Sequence, residues 1–468
     1  HPDLYGSITA EAVGRIETVS PTRPRVFCMA VATTDFRDRG MPSSWSAELD
    51  QLAFGETPDA PRRLILVSGG NADRSQWHNY PNSNYTDGIH DPGQSWNALT
   101  VGAFTQKDSI SSPEFSDYTP LAAHGGLSPS STTSLVWNRS WPLKPDIVME
   151  GGNAATSPAF PEADPIEDLQ LLTTSRLQKG KLLVASGDTS AATALAARMA
   201  ASIRVEYPEY WPETVRALMV HSAEWTPAML EEFNGQTKAE CQNRLRCYGY
   251  GVPDLGRALW CARNALCLVS QAELQPYEKP ERKAPKTRDM HFYELPWPVK
   301  ELQSLGEQDV TMRVTLSYFI EPSPGRRGWK YRHRYASHGL RFDVNHPTES
   351  GEEFRKRLNK LAREEEEEIE STDSQNWTIG TQLRTRGSLH ADWWTGQATD
   401  LARCSHIGIY PVVGWWRERP QFEKYNRPVR YALVVSIHTA SQEVDLYTPV
   451  TTQLAVPTVI TVEDEGGV

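Results

Sequence analysis

The first half of the chain alternates between helical hydrophobic patterns and short apolar runs. Apolar side chains recur at helical spacing from Ile8 to Val19, and an apolar strand is predicted over 26–31. An amphipathic helix is predicted over 43–54, and another over 212–220 has proline in its first turn. Helices and short strands are therefore expected to follow one another along this half.

The pattern changes to a period of two in the second half. Residues 275–288 are charged and contain prolines, so a linker is predicted over 269–288. Alternating strands follow at 310–319, 339–344 and 431–438. Period-two strands with turns between them predict a β-sandwich domain over 289–468. A helical insertion interrupts it at about 351–370, and its run Glu364–Glu368 is more typical of a solvated face than of a metal or partner site.

One turn in the first half contains a residue that could act in catalysis. The apolar residues 182–185 lead into Gly187-Asp188-Thr189-Ser190, and the following dozen residues contain neither Gly nor Pro, which predicts a helix. Apolar residues lie on nearly every face, so burial on all sides is expected. Ser190 would lie at the helix N-terminus, where free N–H groups and the helix dipole stabilise negative charge. It is a candidate nucleophile, although on this stretch alone an ordinary N-cap is the favoured interpretation, because capping serines are common.

Length, composition and charge exclude several classes of protein. A chain of 468 residues is long enough for two or three domains. The net charge of −11 argues against nucleic acid as a partner, because binding to phosphates needs a basic surface. No run of 18 apolar residues is present, so no membrane partner is expected either. A soluble globular protein is predicted.

The cysteines indicate no zinc site. They lie at 28, 241, 247, 261, 267 and 404. These spacings do not form the paired Cys-x-x-Cys motifs of structural zinc. Reduced thiols are the default expectation, with a Cys241–Cys247 disulfide as the alternative.

Three blocks of the first 268 residues carry a family resemblance. Residues 186–197 contain Gly-Asp-Thr-Ser-Ala-Ala, residues 64–71 read Leu-Ile-Leu-Val-Ser-Gly-Gly-Asn, and residues 144–152 read Lys-Pro-Asp-Ile-Val-Met-Glu-Gly-Gly. They resemble, respectively, the serine motif, the strand ending in Gly-Asn and the Lys-Pro-Asp-Ile block of the subtilases, the subtilisin-like serine proteases. Smaller similarities lie at 26–31, 96–103 and 248–254. The resemblance covers residues 1–268 and implies an α/β fold, with a subtilisin-like parallel sheet flanked by helices.

The resemblance also implies roles for individual residues. Ser190 corresponds to the nucleophile and Asn71 to the oxyanion-hole asparagine. Without Ser190, Asn71 would be interpreted as a turn residue after two glycines, but the three blocks together favour the oxyanion role. The substrate-binding positions implied by the resemblance are Gly69, Gly70, Ala30, Val31 and Ala32. The polar and aromatic segment 72–95 is expected to form a loop at the rim of the site.

Two members of the catalytic triad have no counterpart in these residues. The family order is Asp, His, Ser, and a helix leading into strand 26–31 matches the middle of a subtilase domain. The Asp and His blocks are therefore expected upstream of residue 1, in an upstream segment or a separate N-terminal fragment. His1 precedes proline and His124 lies in a loop after the oxyanion block, so neither matches the family's His-Gly-Thr motif.

The sequence departs from the family pattern at a few positions. Asp188 stands where the family has glycine, which places a carboxylate beside the nucleophile. That charge is expected to perturb the pKa of the base or to narrow the pocket. Ala194 replaces a proline, and Met149-Glu150 replaces Ala-Pro. The last two changes are expected to be tolerated.

The sequence predicts a serine endopeptidase, with an inactive subtilase-fold binding or scaffold module as the alternative. An unrelated serine hydrolase is disfavoured because no Gly-x-Ser-x-Gly elbow is present. Resemblance to bacterial intracellular subtilases implies a cytoplasmic location, a protein or peptide substrate, the N-terminal fragment as a partner and an ATPase as a further one. No cofactor is expected. Calcium is common in the family, but no acidic loop here has a recognisable ligand spacing.

Overall fold

Helices and short strands alternate in the N-terminal part of the computed structural model, as the hydrophobic pattern predicts. The structure describes residues 4–57, 60–138, 140–176, 180–259, 265–325, 329–363, 376–439 and 457–462. The chain divides into two units, the first formed by residues 1–208 and 222–255 and the second by residues 209–221 and 256–468.

The bounds of the elements are as follows. The α-helices of the described ranges are α1 (Tyr5–Val19), α2 (Ser44–Phe54), α3 (Asn82–Thr86), α4 (Asp188–Glu206), α5 (Pro212–His221), α6 (Pro227–Glu232), α7 (Lys238–Tyr248), α8 (Leu255–Leu259), α9 (Val299–Ser304), α10 (Arg332–Tyr335), α11 (Gly351–Arg363), α12 (Thr381–Arg384), α13 (Ala398–Leu401) and α14 (Trp415–Glu418). The strands are β1 (Phe27–Met29), β2 (Ile65–Ser68), β3 (Leu99–Phe104), β4 (Thr119–Pro120), β5 (Ile147–Glu150), β6 (Ala155–Thr156), β7 (Leu171–Thr174), β8 (Leu183–Ser186), β9 (Ala265–Leu274), β10 (Tyr277–Glu278), β11 (Lys286–Thr287), β12 (Asp289–Glu294), β13 (Asp309–Tyr318), β14 (Gly339–Val344), β15 (Leu389–Gln397), β16 (His406–Val412), β17 (Val429–Thr439) and β18 (Thr458–Thr461).

A four-stranded parallel sheet forms the centre of the first unit. Its strand order is β1-β2-β3-β5. Every residue of β2 and β3 is buried, as expected for parallel strands covered on both faces. Helix α4 packs against all four strands. The predicted α/β fold, a parallel sheet with flanking helices, is confirmed.

Helix α4 is buried on one side only, so the prediction of burial on all sides is wrong. Its buried side includes Ala196, Met199 and Ile203, whereas Ala194 is exposed and Val205 is 80% exposed. The reason is the size of alanine. Hydrophobic stabilisation scales with buried apolar area, so an alanine-rich face can remain in water at little cost.

A buried ion pair links the ends of β3 and β5 in the first unit. The Lys144 ammonium lies 2.5 Å from the Asp146 carboxylate and donates to the carbonyl oxygen of Ala98 at 3.1 Å. The Asp146 carboxylate also accepts from the backbone N–H of Thr100 at 2.7 Å. The Lys-Pro-Asp block is therefore a structural connection, because it joins the start of one strand to its neighbour.

The second unit contains two four-stranded antiparallel sheets. Their strand orders are β15-β13-β17-β9 and β14-β16-β12-β18. The sheets contact each other through side chains, because the Tyr431 hydroxyl on β17 lies 2.6 Å from both the Tyr293 hydroxyl and the His291 Nδ1 on β12. The predicted strands at 310–319, 339–344 and 431–438 correspond to β13, β14 and β17.

Two segments differ from their expected place. Residues 269–274, expected in the linker, belong to β9, which pairs with β17. Helix α5, expected in the first domain, packs on β13 and β17 of the second unit. It is held there by Arg216, whose guanidinium donates to the Ser317 hydroxyl at 2.9 Å and the Tyr318 carbonyl oxygen at 2.7 Å.

The insertion is helical over α11, and Glu364–Glu368 lie outside the described residues. Cys241 and Cys247 are not joined by a disulfide, so the alternative disulfide is not formed; Cys28, Cys267 and Cys404 are not disulfide-bonded either. Among the described helices, none combines the length and apolar composition needed to cross a bilayer.

Candidate active site

Ser190 lies in the first turn of α4. Strand β8 ends at Ser186, and Gly187 is the N-cap residue of the helix, so the reading of Ser190 as an N-cap is wrong. The Ser190 side chain is half-buried, and its hydroxyl lies 3.4 Å from the carbonyl oxygen of Ala30. The turn thus presents a serine hydroxyl at the N-terminus of a helix, where the helix dipole is positive.

The backbone before Ser190 is held tightly by the segment that follows β5. The Asp188 N–H donates to the carbonyl oxygen of Gly151 at 2.7 Å. A Cβ at Gly187 would lie 2.0 Å from the Gln170 side-chain oxygen and 2.8 Å from the Gly151 oxygen. Only glycine fits between these atoms. The turn before Ser190 therefore packs directly against Gly151, at the end of the Lys-Pro-Asp block.

Asp188 adopts a backbone conformation that favours glycine. Its φ is +68°, in the left-handed region that Asp tolerates better than most residues. Its carboxylate is 22% exposed and lies 3.5 Å from the Arg74 guanidinium. Burial raises the pKa of Asp188, and the charge and hydrogen bond of Arg74 oppose that rise. The extra carboxylate is therefore partly neutralised by a nearby arginine.

Asn71 follows β2 and the two glycines, and its side chain is oriented by Thr189. The Asn71 Oδ1 accepts hydrogen bonds from the Thr189 N–H at 3.1 Å and the Thr189 hydroxyl at 2.7 Å. Because a backbone N–H can only donate, the atom facing it must be the amide oxygen. The Asn71 Nδ2 makes no hydrogen bond within the described part of the chain, so its two N–H donors are available to a ligand.

The two positions before Asn71 are glycines for different structural reasons. Gly70 has φ +90°, and a Cβ there would lie 2.4 Å from the ring of His90. A Cβ at Gly69 would lie 3.1 Å from the Ile89 side chain, and the Gly69 carbonyl oxygen accepts from the Thr132 hydroxyl at 2.8 Å. Both residues therefore place Asn71, and their expected role in binding substrate stays a prediction.

Ala30, Val31 and Ala32 follow the edge strand β1. Ala30 reaches Ser190 through the contact described above, and Val31 is 61% exposed. The structure thus brings Ser190, Asn71, Ala30 and the two glycines together at the carboxyl ends of β1 and β2. Their substrate-binding role stays a prediction.

The histidines considered from the sequence are not partners of Ser190 in the described residues. His124 is exposed; its Nδ1 lies 3.1 Å from the Gln106 carbonyl oxygen and 3.6 Å from the Asp108 carboxylate. His1 lies outside the described residues. Within those residues, no group of three or more His, Cys, Asp or Glu side chains is placed to hold a metal ion.

A cavity of about 700 Å³ adjoins Asn71, and sequence reasoning missed its composition. Its lining residues are Thr34, Phe36, Asn71, Asp73, Gln76, Asn79, Asn82, Ser83, Thr86, Asp87 and His90. The segment 72–95 contributes most of these side chains, as a rim loop would. That loop was expected, but no motif distinguished Asp87 or His90 from their polar neighbours.

Comparison with known proteins identifies the family. The model of the subtilase family (Peptidase_S8) matches residues 1–251. An uncharacterized protein, y4bN, of Sinorhizobium fredii (strain NBRC 101917 / NGR234) is 26% identical over 335 residues, which are 68% of this chain and 72% of that protein.

Solved structures of proteases are also similar to this chain at low identity. The MycP3 protease from the type VII (ESX-3) secretion system is 18% identical with a TM-score of 0.30, covering 55% of this chain and 58% of its own. A protease of Pseudoalteromonas arctica is 13% identical with a TM-score of 0.27, covering 47% of each chain. The chain thus spans about half the length of these structures. Since the family match alone covers more than half of the sequence, the chain belongs to the subtilase family.

Proposed function

We propose that this protein is a serine endopeptidase whose nucleophile is Ser190. The observation that carries the proposal is the connection of Ser190 to Asn71. The residue before Ser190 donates two hydrogen bonds to the Asn71 amide oxygen and so directs its N–H donors away from the helix. A nucleophile and an oriented oxyanion donor at one helix N-terminus are the parts that acyl transfer requires.

The chemistry follows from these positions. The Ser190 hydroxyl loses its proton to a histidine base while its oxygen bonds to the carbonyl carbon of the substrate. The carbonyl oxygen then carries the negative charge and accepts from the Asn71 Nδ2–H and the Ser190 N–H. A donor of this kind contributes about 3 kcal/mol of transition-state stabilisation. Protonation of the leaving amine and attack by water complete the hydrolysis.

The base and its aspartate are proposed to come from a segment upstream of these residues or from a separate N-terminal fragment. An unpaired edge of the sheet supports this: among the described strands, β1 pairs with β2 alone. An apolar cavity of about 620 Å³ lies between β1 and α1, and the nearby Ile8, Ile16 and Val31 are more than half exposed. An added strand would satisfy the backbone of β1 and cover these side chains. Because Ala30 contacts Ser190, the added segment would also border the nucleophile.

The alternative function is a subtilase-fold binding or scaffold module without activity. Two observations favour it: the carboxylate of Asp188 beside the nucleophile, and the absence of a histidine contact to Ser190 among the described residues. The cytoplasmic location and the ATPase partner are inferences from the family resemblance, and they remain proposals.

The deciding experiment is intact mass spectrometry of the natively purified protein after reaction with a fluorophosphonate. We expect one probe adduct on the polypeptide that contains Ser190. The adduct should vanish in Ser190→Ala and persist in Ser202→Ala, a matched change on the same helix. No adduct on the unchanged protein would contradict the enzyme and support the binding module.

The same spectra test the source of the base. A second polypeptide released on denaturation, or a single chain heavier than 52.5 kDa, would support the added segment. Labelling of a lone 52.5 kDa chain would contradict it.

A further inference from the structure

The cavity beside Asn71 is placed to receive one particular side chain of a bound peptide. In the proposed reaction the scissile carbonyl oxygen binds to the Asn71 Nδ2. The residue that supplies this carbonyl, here called the acyl-side residue, carries its side chain on the carbon next to the carbonyl carbon. That side chain must enter space that adjoins Asn71, and the 700 Å³ cavity has Asn71 in its wall.

The charged groups of the cavity wall are acidic. The wall holds the carboxylates of Asp73 and Asp87, and none of its described residues is Lys or Arg. The Asp87 side chain is only 18% exposed. The nearby Arg74 points elsewhere, towards Asp188 at 3.5 Å. A cation that enters the cavity therefore meets two carboxylates, one of which also faces the His90 ring, and no Lys or Arg side chain of the wall.

Asp87 is fixed in position but keeps hydrogen-bonding capacity. Its Oδ2 accepts from the Asp73 N–H at 3.1 Å, and its Oδ1 lies 3.4 Å from the His90 Nε2. Each carboxylate oxygen has two lone pairs, so both oxygens can accept another N–H. A held carboxylate of this kind loses little conformational entropy when it binds a guanidinium or ammonium group.

The rest of the wall suits a long polar side chain. Phe36 stacks on His90, with ring centroids 6.0 Å apart and planes 8° apart, and offers an apolar surface to an aliphatic stem. The remaining side chains are mainly amides and hydroxyls: Thr34, Gln76, Asn79, Asn82, Ser83 and Thr86. A purely apolar substrate side chain would remove water from these groups without replacing its hydrogen bonds, which is unfavourable.

We propose that this cavity selects peptides with a basic acyl-side residue, Arg or Lys. The inference rests on the proposed serine endopeptidase function and adds its substrate class. Arginine is favoured over lysine, because its planar fork can bond to Asp87 while other donors reach the hydroxyl and amide oxygens of the wall.

The test compares two peptidyl phosphonates that differ only in the acyl-side residue, Arg or Leu. The measured quantity is the second-order rate of Ser190 labelling in the natively purified protein. We expect the Arg probe to react at least tenfold faster. Asp87→Asn should lower the Arg-to-Leu ratio about tenfold, and Asp117→Asn, an equal charge change at an exposed residue away from the cavity, should leave the ratio unchanged.

A plain fluorophosphonate separates the two possible failures. If it labels the wild type but the Leu probe reacts as fast as the Arg probe, or the ratio survives Asp87→Asn, the basic selectivity is overturned and the enzyme stands. If it does not label the wild type, both proposals fall. Should Asp87→Asn lose fluorophosphonate labelling, Asp73→Asn replaces it, since the exposed Asp73 carboxylate adds to the same attraction.

Discussion

The amide oxygen of Asn71 is held by both donors of Thr189, its backbone N–H at 3.1 Å and its hydroxyl at 2.7 Å. The residues are 118 positions apart in the chain. The contact fixes the amide plane of Asn71, with its oxygen facing the first turn of α4. In the proposed mechanism, Thr189 is therefore a positioning residue for the oxyanion donor Asn71.

Loss of Asn71 or of its anchor should affect the chemical step. Asn71→Ala is expected to lower kcat by about 100- to 1000-fold, the usual loss for one oxyanion donor. Thr189→Val removes only the hydroxyl and should lower kcat roughly tenfold, the worth of one hydrogen bond, with KM little changed. Steady-state kinetics on a peptide substrate measure both values. Thr189→Ser should restore the rate; a rise in KM alone would contradict the positioning role.

Asp188 should tolerate only residues that accept a positive φ. Asp188→Gly and Asp188→Asn are expected to remain as stable as the wild type within about 1 kcal/mol. Asp188→Val should cost about 2 kcal/mol or more, because a β-branched residue strongly disfavours φ +68°. Urea unfolding measures the differences. Equal stability of the Val and Gly variants would show that the turn relaxes to another conformation.

Asp91 should make stability depend on pH. Burial raises its pKa to about 6, although hydrogen bonds from the Ser43 hydroxyl and the Gln94 amide oppose the rise. The folded protein thus holds the proton more tightly than the unfolded chain. The stabilisation is complete below the unfolded pKa of about 4 and is lost as the pH rises to about 6, on the order of 3 kcal/mol.

Asp91→Asn should remove this dependence. Relative to the wild type, the variant is expected to gain stability between pH 4 and pH 7, as followed by thermal unfolding across that range. Glu114→Gln, at an exposed residue, serves as the control. Parallel curves for wild type and Asp91→Asn would contradict the raised pKa.

The buried pair of Lys144 and Asp146 should be essential to the first unit. Lys144→Met leaves the Asp146 carboxylate buried without its cation, which is expected to cost about 3–5 kcal/mol. Lys181→Met is the matched control, because its 3.7 Å pair with Glu167 is exposed and should contribute less than about 1 kcal/mol. Denaturant unfolding compares the two, and equal losses would contradict the structural role of the pair.

The main elements and the turn before Ser190 could be predicted because their signals are local. Apolar periodicity predicts α1 and α2, and adjacent residues predict the turn before Ser190. The meeting of Asn71 with the Ser190 turn followed from family resemblance alone. No local pattern could have shown that Thr189, an inconspicuous neighbour, makes the connection.

The remaining features depend on contacts between distant residues. Helix α5 follows the helices of the first unit in the chain, and its own sequence does not show that it packs in the second unit. It packs there because Arg216 bonds to Ser317 and Ser388, about 100 and 172 positions later. The sequence alone places part of β9 in a linker, and only its pairing with β17 identifies it as a strand. The cavity is acidic because Asp73 and Asp87 both line it, and their spacing along the chain does not predict this.

The turn that holds Ser190 has a consequence for biosynthesis. Ser190 contacts Ala30, which leaves the ribosome 160 residues earlier, while its neighbours bond to Asn71 and Gly151. None of these contacts is local, so the nucleophile acquires its surroundings only after the long-range pairings of the sheet are complete. A nascent or partly unfolded copy would lack these contacts. For the proposed endopeptidase, the topology would therefore delay proteolytic competence until the fold is complete.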